Sequence, residues 1–134
     1  MLRKNDLVDK CEESSNVKLD VVHEGAEWGE VIICITERNI EEELFWCAAS
    51  RWYADGNEDL FREIFYCNPK LIDISQARVR MIEKVVGIFG KLEDMPFSLS
   101  DSQEIYELYE YKDDFILFFV LKNKLAIVFF DSAI

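Results

Sequence analysis

The chain has 134 residues, with 27 Asp and Glu against 15 Lys and Arg, a formal net charge of −12. Half of it is hydrophobic and 13% is aromatic, so it can build a core and is not an acidic disordered tail. A net charge of this size weakens a compact state by self-repulsion, attracts basic partners and opposes direct binding to nucleic acid.

The length predicts one domain, 1–134, burying roughly two thirds of its unfolded surface. No run approaches the roughly 20 apolar residues of a membrane-spanning helix. The most apolar stretch, Phe115 to Leu121, is broken by Lys122, Asn123 and Lys124. Arg3 and Lys4 near the start have no apolar run behind them, so no secretory signal is read there and a cytoplasmic protein is expected. Cys11, Cys34, Cys47 and Cys67 are scattered without a Cys-x-x-Cys pair, which predicts free thiols and neither a zinc site nor a redox motif.

In chain order, Asn5 as N-cap with Leu7, Val8 and Cys11 predicts a short helix from Asp6 to about Ser14. Val17, Leu19 and Val21 then alternate with Lys18, Asp20 and Val22, and Gly25 offers a turn into Glu30–Thr36, which reads as a hairpin. Asn39 and Glu42 have capping-box spacing ahead of Ile40, Leu44, Cys47, Ala48 and Arg51 or Trp52, a helix running to Gly56. Asn57 starts a second helix with Leu60, Phe61, Ile64 and Phe65 on one side, ended by Asn68-Pro69. Asp73 and Gln76 cap a third, whose stripe is Ile74, Ala77, Met81, Val85, Ile88 and Phe89.

Asp94 to Ser98 reads as a loop. Ile105 to Tyr111 fits a helix face or a strand, and its density of tyrosine favours the strand. Turns at Lys112-Asp113-Asp114 and Lys122-Asn123-Lys124 lead into Phe115–Leu121 and Leu125–Phe130, whose unbroken apolar character implies burial on both faces. The expected fold is therefore α+β: an antiparallel sheet, formed by an N-terminal hairpin and a C-terminal three-stranded meander, covered by about three helices.

Catalytic signatures are missing from the sequence. The lone histidine, His23, removes most histidine-based mechanisms, and there is neither a Gly-x-Ser-x-Gly elbow nor a glycine-rich phosphate loop. His23-Glu24-Gly25-Ala26-Glu27 reads as a solvated turn rather than a metal site, and Arg80, Lys84 and Lys91 as a solvated helix face opposite Met81 and Val85. No enzyme activity, cofactor or metal is expected.

The acids are distributed unevenly. Glu12 to Glu63 holds 14 acidic and 4 basic residues, a net of −10, against 11 and 8 from Cys67 to the end, a net of −3. Glu41, Glu42 and Glu43 gather at one expected helix start and Glu58, Asp59 and Glu63 on the next helix, more carboxylate than a helix dipole calls for. Tyr106 and Tyr109 interleave with Glu104, Glu107 and Glu110, a pairing of aromatic area with acids that suits an Arg- and Lys-rich surface. These eight residues, Glu41, Glu42, Glu43, Glu58, Asp59, Glu63, Tyr106 and Tyr109, are the candidate contacts for a basic protein.

In size, acidity, aromatic content and lack of catalytic motifs the chain resembles the immunity proteins of bacterial toxin systems, including contact-dependent growth inhibition. The resemblance implies a cytoplasmic inhibitor that masks the active site or nucleic-acid groove of a basic nuclease toxin. Type III secretion chaperones look similar in bulk but close with an amphipathic helix, where this chain ends in the strand-like Leu125 to Phe130. A phage-type nucleic-acid mimic is the third reading.

Overall fold

The computed structural model describes residues 16–90, 94–111 and 113–132. The expected helix from Asp6 to Ser14 lies outside them. Six strands, β1 (Asp20–Ala26), β2 (Gly29–Glu37), β3 (Lys70–Ile72), β4 (Ser102–Tyr111), β5 (Asp114–Leu121) and β6 (Lys124–Ser132), form one sheet in the order β1-β2-β6-β5-β4-β3. Every neighbouring pair is antiparallel. The expected hairpin and meander are thus joined edge to edge through β2 and β6.

Helices cover both faces, as the unbroken apolar strands require. Ile32, Cys34, Ile116, Phe118, Leu125, Ile127 and Phe129 face α1 (Glu42–Ala54) and α2 (Glu58–Phe65). Their neighbours in sequence, Val31, Ile33, Leu117, Phe119, Ala126, Val128 and Phe130, face the opposite way, toward α3 (Ile74–Arg80). One period-two alternation therefore feeds two apolar layers.

α3 continues through a π-helical segment, Met81–Val85, into α4 (Val86–Phe89). Ala77, Met81 and Val85 are all fully buried and four residues apart. At 3.6 residues per turn such a stripe drifts by about 40° per step, and the wider π turn takes up that drift, keeping the stripe on the sheet. Trp28, in the β1–β2 turn, closes this layer. Its ring packs against Phe130 at 5.9 Å and crosses Gly87 so closely that a Cβ there would lie 3.1 Å away.

Local signals succeed at two helix starts and fail at one. Asn57 accepts a hydrogen bond from the Leu60 N–H, and Asp73 and Gln76 form a reciprocal capping box. Asn39 does not cap α1, which begins at Glu42 after Glu41 and has no side-chain cap. The helix also buries Phe45, Trp46 and Ala49, leaving Trp52 44% exposed, because the sheet lies on that side. The hairpin turn falls at Glu27-Trp28 while Gly25 stays in β1, and β3 adds a short edge strand beyond the expected hairpin and meander. No described helix is long and apolar enough to cross a membrane.

Candidate functional site: an acidic pocket walled by tyrosine

β2 begins, β5 begins and β6 ends at the same end of the sheet. The antiparallel register sets Glu30 directly opposite Asp131, and Asp114 lies one step beyond the Phe115–Phe130 pair. Each of the three is two residues from a side chain on the α1–α2 face, namely Ile32, Phe129 and Ile116, so the strand period puts all three carboxylates on that face. Like charges opposite one another across strands are destabilising. Accordingly the Asp131 carboxyl is held above the usual range, first by partial burial and then by Asp114 and Glu30. The Ser132 N–H donates to Asp114 Oδ1 at 2.7 Å, and His23 Nε2 sits 2.9 Å from Glu30 Oε2.

Helices raise walls around this row. Tyr53, in the last turn of α1, stacks on Phe129 with ring centroids 4.2 Å apart and planes within 5°. Burial pushes its hydroxyl up, and Asp131, Glu30, Asp114 and Tyr109 push it further. α2 adds Leu60, Glu63 and Ile64. Tyr109 arrives through a β-bulge: Glu107 pairs with Leu117 and Tyr109 with Ile116, leaving Leu108 as the extra residue. The bulge turns Tyr109 onto the α1–α2 face, whereas strict alternation would have sent it to the other. Tyr53, Glu63, Tyr109, Asp114 and Asp131 thereby enclose a pocket of about 170 Å³.

A shallower groove of about 290 Å³ shares Asp131 and continues past Glu30 to the β1–β2 turn. Gly29 shapes it, since a Cβ there would fall 2.9 Å from the Phe130 ring and 3.1 Å from the Asp131 carbonyl oxygen. Three cations, Arg51, Arg80 and Lys84, are engaged with other acids. Arg51 pairs with Glu58 at 2.9 Å and lies 3.7 Å over Phe61, Arg80 holds Glu107 at 3.0 Å and Glu110 at 2.5 Å, and Lys84 faces Asp113 at 3.9 Å. Among the described residues no Lys or Arg forms an ion pair with Asp131, Asp114 or Glu63. Nor do they form a metal-binding group of three or more His, Cys, Asp or Glu.

No protein-family model, curated protein or solved structure matches this chain. The site is concave, negatively charged and aromatic, and it favours a cation with a flat or apolar body.

The eight residues singled out in the sequence do not form one patch. α1 runs back from the far end of β2, so Glu41, Glu42 and Glu43 lie about 15–18 Å along the helix from Tyr53 in the pocket. Glu43 is buried in the first turn of α1 and not displayed on the surface. Tyr106 is only 2% exposed, its ring edge-on to Phe118 and its hydroxyl donating to Glu104, so it is a core residue and not a surface anchor. Glu63 and Tyr109 do meet, in the pocket. Asp59 stands exposed one turn before Glu63, and Glu58 is tied to Arg51. Sequence reasoning missed Glu30, Tyr53, Asp114 and Asp131, which converge through the β2–β6 and β5–β6 pairings and the packing of α1 on Phe129.

The expected solvated cationic face is also corrected. Arg80 and Lys84 are less than one third exposed, and they turn toward acids of β4 and the β4–β5 turn. The guanidinium hydrogen bond holds Glu110 below the usual carboxylate range, while burial raises Glu107 despite the same partner. Lys91 lies outside the described residues.

Proposed function

We propose that the chain is an acidic binding protein that captures a basic protein domain. In its fuller form the reading is an immunity protein that neutralises a nuclease-type toxin in the cytoplasm by masking the toxin's active site, without catalysis, cofactor or metal of its own. The observation that carries the reading is the row Glu30–Asp131–Asp114, with Glu63 beside it. Like charges set side by side on three adjacent strands cost stability that a cationic partner would restore on binding.

The net charge of −12 supplies the long-range attraction, and Arg80 and Lys84 are already paired with acids of the fold. The test is co-expression with the product of the gene adjacent to this one. A one-to-one complex and rescue of growth from that product's toxicity are expected. Normal toxicity with no complex on gel filtration at low salt would overturn the immunity reading.

A further inference from the structure

We propose that the Tyr53–Tyr109 pocket is a receptor for a single arginine side chain projected by the basic partner. The proposal rests on the reading above and deepens it. The cavity itself, at about 170 Å³, is closed on several sides by elements distant in sequence, and is scaled to a side chain rather than to a peptide backbone or a nucleotide. Leu60, Ile64 and Ile116 line it with aliphatic surface that suits the three-methylene stem of arginine.

Three features favour guanidinium over the ammonium of lysine. Tyr53 is pinned flat on Phe129 and Tyr109 is turned inward by the bulge, which gives the site aromatic surface of the kind a planar cation stacks on. Asp114, Asp131 and Glu63 line the pocket from two strands and a helix, and a fork with five N–H donors can serve acceptors on several sides where a compact ammonium serves fewer. The site is also partly withdrawn from water, and guanidinium is the more weakly hydrated cation. Asp114 is already oriented by the Ser132 N–H at 2.7 Å, which leaves its other oxygen for the ligand.

The experiment uses three probes on the full chain at low salt: N-acetyl-arginine methylamide, the corresponding lysine derivative and spermidine, each followed by two-dimensional amide NMR. The arginine probe is expected to shift resonances around Tyr53, Tyr109, Asp114 and Asp131 and to bind several-fold more tightly than the lysine probe. Asp131→Asn, which keeps the side-chain shape and relieves repulsion, should weaken the arginine probe several-fold, whereas Glu41→Gln at the far end of α1 should not. Equal binding of the two amino-acid probes, shifts centred elsewhere, or spermidine outcompeting arginine would each overturn the proposal. Should the arginine probe fail while the chain still forms its complex with the adjacent gene product, the pocket assignment falls and the broader reading stands. Loss of both would remove the broader reading as well.

Discussion

Asp131 concentrates the electrostatic cost of the site in one side chain. Its carboxyl titrates above the ordinary aspartate range because it is partly buried and has Asp114 and Glu30 as neighbours. A carboxyl whose folded-state pKa is raised binds its proton more tightly in the native state, so its charge destabilises the fold at neutral pH. That penalty fades as pH falls through the raised native value toward the ordinary one. Asp131→Asn is therefore expected to stabilise the protein by roughly 0.5 kcal/mol at pH 7, the scale of an exposed cross-strand like-charge pair. The gain should vanish near about pH 3, where the wild-type carboxyl is protonated in both states. Urea denaturation of both proteins at the two pH values measures it. A gain that is independent of pH would mean that packing, and not charge, sets the difference. Tyr53 shares the same field and stays protonated throughout that range, since burial and three nearby acids all push its hydroxyl upward.

Helix starts divide into those that local chemistry specifies and one that tertiary packing imposes. Asp73→Ala and Asn57→Ala each remove a side-chain acceptor from an orphan N–H and should cost about 1 kcal/mol in chemical denaturation. Asn39→Ala should stay within about 0.5 kcal/mol, because α1 starts beyond it, and a cost matching the other two would contradict the cap assignment at Glu41. The same division explains how far the sequence could be read. β5 and β6 are legible because unbroken apolar runs, Phe115 to Leu121 and Leu125 to Phe130, admit few alternatives to strands buried on both faces, and covering helices on both sides follow from that. The pocket is not legible. The β5–β6 hairpin sets Asp114 beside Asp131, but Glu30 stands far away in the chain, and only the β2–β6 pairing, a contact between the first and last parts of the sheet, adds it to the row. Tyr109 was noticed for its neighbours in sequence, yet a one-residue bulge decides which face it serves, and no local pattern encodes that bulge. Tyr106 carries the same sequence signal and ends in the core.

At the scale of the molecule, acids lie at both ends of α1, and the two ends should contribute differently to capture of a basic partner. Glu41 and Glu42 sit at the start of α1, about 17 Å along the helix from Tyr53 in the pocket, and act on a partner mainly through the long-range field. On α2, Glu63 lines the pocket and Asp59 stands exposed one turn before it, so both would contact a partner bound there. A field effect speeds association, while a desolvated contact slows dissociation. The pair Glu41→Lys with Glu42→Lys is therefore expected to lower the association rate of the complex and leave its dissociation rate nearly unchanged. The pair Asp59→Lys with Glu63→Lys is expected to lower the association rate by a similar factor and to raise the dissociation rate several-fold as well. Raising salt from about 20 mM to about 500 mM shortens the screening length several-fold, so it should erase most of the difference between the first pair and the wild type but not the faster dissociation of the second. Surface plasmon resonance on the four combinations of variant and salt reads both rates directly, with circular dichroism confirming that each variant is folded. Equal dissociation rates for the two variant pairs would place the partner away from the pocket and remove the reason for assigning function to that end of the sheet.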